Sequence, residues 1–180
     1  MTTKTGALAL ECKRESESCL YTSTSFFIWL RLLQTAKVFF LITPLVLGGI
    51  AGWKLLTASE LPQVKLLTAI CSFFAGLLPT IYAALKMDEN LAQCRRLAGD
   101  FKNLQDAFRH AALVSSRKSF KEFEEDVKPL IERLERARSE SLVVPEWCFK
   151  FAQRKVRSGD YDFNVDVEAE EGPAKPPEAA

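Results

Sequence analysis

Two long stretches of this 180-residue chain contain no charged side chain, although acidic and basic residues make up 26 % of the whole. The first runs from Val38 to Trp53 and the second from Leu66 to Leu85, with only a short segment between them. A helix that is apolar on every side must be buried in protein or in lipid. The missing charges therefore predict a hairpin of two membrane-spanning helices.

Other absences restrict the chemistry. The chain has a single histidine, His110, with no serine or cysteine nucleophile at a suitable spacing, so no catalytic constellation is visible. Its five cysteines form no CxxC motif and no Cys–His cluster, which excludes the usual zinc site and disulfide framework. Neither uncharged stretch holds an ionisable residue that would serve a proton relay or a charge-selective ring. We predict no enzymatic activity, no cofactor and no metal.

The lengths of the two stretches fit a bilayer. Leu66–Leu85 has 20 residues, which span about 30 Å as a helix, the thickness of the hydrocarbon core. Val38–Trp53 is shorter, but Leu55 and Leu56 extend it, so we predict spans over 38–56 and 66–85. The alternative is a buried hairpin in a soluble protein. We disfavour it because the remaining helices are too few to cover two fully apolar ones.

Charge predicts the orientation of the hairpin. Two lysines, Lys54 and Lys65, lie in the connecting loop, whereas five basic residues flank the outer ends of the spans: Arg31, Lys37, Lys86, Arg95 and Arg96. The positive-inside rule then places both termini in the cytoplasm, with the hairpin in the inner membrane and the first span as an uncleaved signal anchor. The net charge of +1 argues against a nucleic-acid partner.

The remaining sequence predicts further helices. We expect an amphipathic helical segment over 1–37, a cytoplasmic coiled-coil-like domain over 86–158, and an acidic extended or disordered tail over 159–180. The first heptad seam of the domain is a candidate oligomer contact, and it comprises Leu97, Phe101, Leu104 and Phe108. A second seam runs from Phe120 to Ala137, with Pro129 expected to kink its helix. Whether the two seams cover each other or join subunits stays open.

Small residues recur inside both spans. Gly48 and Gly52 form a GxxxG motif, and the second span repeats a small residue every fourth position at Thr68, Ser72, Gly76, Thr80 and Ala84. Small faces allow membrane helices to approach closely. For the glycine pair we favour packing between the two spans of one chain, whereas the longer stripe suits either a neighbouring subunit or a pore wall. Leucine at position 76 is expected to disturb such packing.

Two helices cannot enclose a water path, so a pore would need several copies of the chain. Its wall would be apolar and hydroxyl-bearing, and the candidate lining residues are Thr43, Ser72 and Thr80. Pro44 and Pro79 are candidate bends, because a proline within a membrane helix removes a backbone hydrogen bond.

The layout resembles a known family. The similar segments are LECKRESESCLYTSTSFF (Leu10–Phe27), TPLVLGGIAGW (Thr43–Trp53), FFAGLLPTIYAALKMD (Phe73–Asp88), FKNLQDAFRHAALVS (Phe101–Ser115) and VPEWCFKFAQRKVRSGDYDFNVD (Val144–Asp166). They resemble the bacterial SLATT proteins, two-transmembrane effectors associated with nucleotide-signalling defence systems. The resemblance implies a homo-oligomeric effector that perforates or depolarises the membrane when a sensor is triggered.

This chain departs from the fused family members because it carries no nucleotide-sensing domain, so the sensor would be a separate protein. No catalytic residues carry over from the resemblance. The alternative hypothesis is a membrane-anchored helical scaffold or adaptor, in which the hairpin serves only as an anchor.

Overall fold

The computed structural model describes residues 3–56 and 62–158, and that part of the chain is helical without any strand. Five α-helices follow one another along the chain: α1 (Thr3–Leu56), α2 (Pro62–Ala84), α3 (Met87–Leu113), α4 (Phe120–Ser139) and α5 (Glu146–Arg157). A short 3₁₀ turn, Ser115–Arg117, joins α3 to α4 where Ser115 and Ser116 interrupt the heptads. The all-helical fold is therefore confirmed. The predicted tail lies outside the described residues.

Helix α1 differs most from expectation. It runs without a break for 54 residues, which corresponds to about 81 Å. No boundary exists at residue 37, because the helix continues through it into the first apolar span. Instead, the first part of α1 is the centre of a helical bundle, while its last part is the first apolar span. One rigid helix thus belongs to both halves of the molecule.

A heptad seam follows the whole of α1. Its members alternate at steps of four and three residues, and every one is buried or half-buried: Thr5, Ala9, Cys12, Ser16, Cys19, Ser23, Phe26, Leu30, Leu33, Lys37, Phe40, Pro44, Leu47 and Ala51. The first six are small or weakly polar, so a search for leucine and phenylalanine does not find them. Small side chains on this side allow a partner helix to approach closely.

Helix α3 packs antiparallel along the first part of α1. Phe26 stacks on Phe101 with ring centroids 5.8 Å apart, and the Ser16 hydroxyl donates to the Gln105 carbonyl at 3.0 Å. Buried hydroxyls nearby bond within their own helix, as Ser25 does by donating to the carbonyl of Thr22 at 2.7 Å. Polar groups can be buried here because these bonds satisfy them.

Helices α4 and α5 complete the bundle, which comprises the first part of α1 with α3, α4 and α5. Helix α4 forms a hairpin with α3 and is tied to α1 by an Arg138–Glu15 ion pair of 2.6 Å. It continues through Pro129 without ending. Helix α5 packs on α1, where Trp147 meets Trp29 edge-on at 6.2 Å and Cys148 and Ala152 are buried.

The candidate oligomer seam of α3 is part of this core. Leu97, Phe101, Leu104 and Phe108 are each at most 2 % exposed, and they pack within a single chain. We therefore correct their assignment to the intramolecular core, because a subunit contact through them would require the bundle to open. Helix α1 contributes most of the cover, and the sequence did not predict that role for it.

Candidate functional site

The two apolar spans project from the bundle as an uncovered hairpin. Among their described side chains only Ala51 and Cys71 are buried, whereas large apolar side chains such as Leu45, Trp53 and Leu66 are 76 %, 68 % and 64 % exposed. Both α1 and α2 contain a segment long and apolar enough to cross a membrane. The alternative of a buried hairpin finds no support in the described residues, because none of their other helices covers the two spans.

The two spans contact each other through one face of α2. Six of the buried or half-buried residues on α2 follow a heptad pattern: Val64, Thr68, Cys71, Ala75, Leu78 and Tyr82. Leu77 and Ile81 are half-buried beside them. Phe40 of α1 lies 6.3 Å from the Tyr82 ring at the end of this face nearest the bundle. Thr43 is half-buried on the matching side of α1 and is therefore poorly placed to line a pore.

The GxxxG motif does not mediate the contact between the two spans. Gly48 is exposed and Gly52 is half-buried, and a Cβ atom added at either position would meet no atom within 4 Å. The prediction that these glycines allow close packing of the spans is therefore wrong. Ala51, between them, is the residue that is buried.

Thr68, Cys71 and Ala75 lie on the face of α2 that meets α1, whereas the other small residues of α2 are turned away from it. We call their surface the outer small face, and it comprises Ala69, Ser72, Gly76, Thr80, Ala83 and Ala84, all of them exposed. A Cβ atom at Gly76 would meet nothing within 4 Å, and the exposure of the other members shows that no described residue covers the face. The Thr80 hydroxyl donates to the carbonyl of Gly76 at 3.1 Å and adds polarity to this side.

Both candidate bends lie inside continuous helices. Helix α1 continues through Pro44 and α2 through Pro79. Pro44 is half-buried within the α1 seam, whereas Pro79 is exposed. Proline has no N–H to donate, so each helix lacks one backbone hydrogen bond at the residue four positions earlier.

A charged junction joins the hairpin to the bundle. The Lys37 ammonium group donates to Asp88 at 2.7 Å, linking α1 to the first turn of α3. This bond, with the Tyr82 hydroxyl close by, holds the pKa of Asp88 below its usual range, and the same bond raises the pKa of Lys37. The Tyr82 oxygen is buried and has no hydrogen-bond partner of good geometry among the described residues.

The turn between α2 and α3 lies beside this junction. Lys86 has φ 47° and ψ 44°, the left-handed conformation, and separates α2 from α3. The Asn90 side chain donates to the Leu85 carbonyl at 2.9 Å and supports the turn. Neither glycine nor proline marks the position, which is why sequence reasoning missed it.

The described residues contain no group of three His, Cys, Asp or Glu side chains that could hold a metal ion. Comparison with protein-family models, with curated proteins and with solved structures found no match for this chain. The resemblance to SLATT proteins therefore stays a prediction from the residues themselves.

Proposed function

We propose that the protein is a homo-oligomeric membrane effector whose hairpin crosses the bilayer and whose assembly perforates or depolarises it. In this arrangement the bundle and both termini are cytoplasmic, the membrane is the inner membrane of a bacterium, and a separate sensor triggers the response as in the SLATT proteins. The single observation that carries the proposal is the outer small face of α2, which is exposed and which no described residue of the chain covers.

The physical reasons for assembly through this face are direct. Association of helices in lipid depends on close packing and on hydrogen bonds, since lipid tails are as apolar as leucine side chains. The face offers both, through Gly76 and the alanines for close approach and through Ser72 and Thr80 for polarity. Because neither uncharged stretch holds Asp, Glu, Lys, Arg or His, a path enclosed by spans packed in this way would carry no charged side chain.

The continuity of α1 supports coupling between bundle and hairpin. A helix of 54 residues transmits a rotation or tilt of the bundle directly to the first span, and the Lys37–Asp88 pair fixes the start of α3 to the same helix. Assembly of bundles on the cytoplasmic side would in this way align the hairpins in the membrane.

The test is expression in bacterial cells with the membrane potential recorded. We expect the wild-type protein to depolarise the cells, and we expect a chain whose hairpin is replaced by an unrelated two-span anchor to lose this activity. A scaffold or adaptor would keep its function after the replacement. An unchanged potential with assembled protein in the membrane would contradict the proposal.

A further inference from the structure

A cavity of 190 Å³ lies between α3 and α4, on the surface of the bundle. We call it the arginine groove, and it is lined by Arg96, Asp100, Leu104, Arg133, Arg136, Ala137 and Glu140. Leu104 and Ala137 are buried and form an apolar floor. Three guanidinium groups therefore surround a pocket far from the outer small face.

The three arginines differ in what holds them. Arg96 donates to Glu140 at 2.7 Å and lies 3.6 Å from Asp100, so both carboxylates of the groove are engaged by a single guanidinium group. Arg133 and Arg136 form no ion pair with the described residues. They are three positions apart on α4 and hence project from the same side of that helix.

We infer that the arginine groove binds a free phosphate-bearing anion of about the size of pyrophosphate, with Arg133 and Arg136 as the principal ligands. Guanidinium groups match phosphate oxygens in a bidentate manner, and two of them suit an anion with two phosphoryl groups. The cavity is smaller than the roughly 300–1,000 Å³ of pockets for larger ligands, which favours a compact anion.

The position of the groove distinguishes a soluble anion from a lipid headgroup. Arg96 lies nine residues after Met87, so it is about 14 Å further along α3 from the hairpin. The headgroup layer on each side of a bilayer is only about 5–8 Å thick. With α3 along the bilayer normal the groove would therefore lie beyond the headgroups, and the inference does not depend on pore formation.

The Arg96–Glu140 ion pair predicts that one substitution in the groove should increase the affinity for the anion. Glu140 immediately follows α4, and its carboxylate accepts a hydrogen bond from Arg96. Without that bond the Arg96 guanidinium group could serve as a third ligand of the anion. Removing this carboxylate leaves Arg96 with the longer Asp100 contact alone and also removes a negative charge that repels the anion. Glu140→Gln should therefore tighten binding, whereas loss of either ligand arginine should weaken it.

The experiment measures pyrophosphate binding by calorimetry to the full-length protein in neutral detergent, at constant ionic strength adjusted with sodium chloride. We expect saturable binding that Arg133→Gln/Arg136→Gln weakens at least tenfold and Glu140→Gln strengthens several-fold. The matched control, Arg95→Gln/Arg117→Gln, removes two exposed charges outside the groove and should change affinity less than twofold.

Three results would overturn the inference: no saturable binding, equal losses in the two double arginine variants, or unchanged affinity in Glu140→Gln. A lipid source is separated by sedimentation with phosphatidic acid vesicles. Vesicle binding that requires Arg133, without binding of soluble pyrophosphate, would assign the groove to lipid and contradict a free anion. Thermal unfolding of each variant, recorded in parallel, verifies that the bundle remains folded.

Discussion

Lys86 carries backbone strain at the connection between hairpin and bundle. The left-handed conformation costs an L-residue roughly 1–2 kcal/mol. Glycine avoids this cost, but it loses more conformational entropy on folding, which offsets part of the gain. We expect Lys86→Gly to stabilise the protein by about 0.5–1 kcal/mol and Lys86→Val to destabilise it. Thermal unfolding in detergent measures both. A glycine variant no more stable than wild type would show that the turn is not strained.

Three buried thiols predict a dependence of stability on pH. Burial raises the pKa of Cys12, Cys19 and Cys94 from 9.0 to about 11. A raised pKa means that the folded protein retains protons that the unfolded chain releases. The stabilisation is therefore complete below pH 9 and is lost as pH rises from 9 to 11, on the order of 2 kcal/mol per thiol.

Urea unfolding between pH 8 and pH 11 measures this effect. With rising pH, the free energy of unfolding of the wild type should fall more steeply than that of a variant with alanine at all three positions. Lysines and tyrosines titrate equally in both proteins, so the difference between the slopes is due to the thiols. Parallel slopes would show that the thiols are accessible to water in the folded state.

At the scale of the element, the start of α4 depends on a capping box. The Ser119 side chain accepts from the Glu122 backbone N–H, and the Glu122 carboxylate accepts from the Ser119 backbone N–H. Ser119→Ala removes one half of this arrangement, and we expect a loss of about 1 kcal/mol. Ser139→Ala, at the other end of α4, is the control and should cost less. Equal losses would mean that the cap does not fix the start of α4.

The success of sequence reasoning differs between elements for a physical reason. The buried faces of α3 and α4 consist mainly of large apolar residues, between Leu97 and Phe108 in α3 and between Phe123 and Ala137 in α4. Their heptad spacing is visible in the sequence and predicts which face is buried. The first part of α1 buries serine and threonine, which hydropathy does not distinguish from surface residues, together with two isolated cysteines. The exposure of the outer small face depends on which side of α2 packs against α1. That side is determined by side-chain packing in the folded chain and cannot be predicted from the spacing of small residues.

At the scale of the whole molecule, a substitution in the outer small face should change assembly without changing the fold of a single chain. Gly76→Leu fills open space in one chain and also raises helix propensity, so the hairpin itself should be unaffected. The same change in an assembled face would prevent close approach of two helices. We therefore expect the mass of the protein assembly in detergent to fall toward the mass of a single chain. Gly48→Leu, on the exposed side of α1, is the matched control and should remain assembled. Loss of assembly in the control alone would place the contact on α1.

The central claim is that copies of this chain, joined through the outer small face of α2, make a bilayer permeable to ions. Its most direct test is the purified full-length protein in vesicles that hold a potassium diffusion potential, followed with a potential-sensitive dye. We predict that wild type and Gly48→Leu dissipate the potential, and that Gly76→Leu does so at least tenfold more slowly. A potential that persists with inserted, assembled wild-type protein would contradict the account.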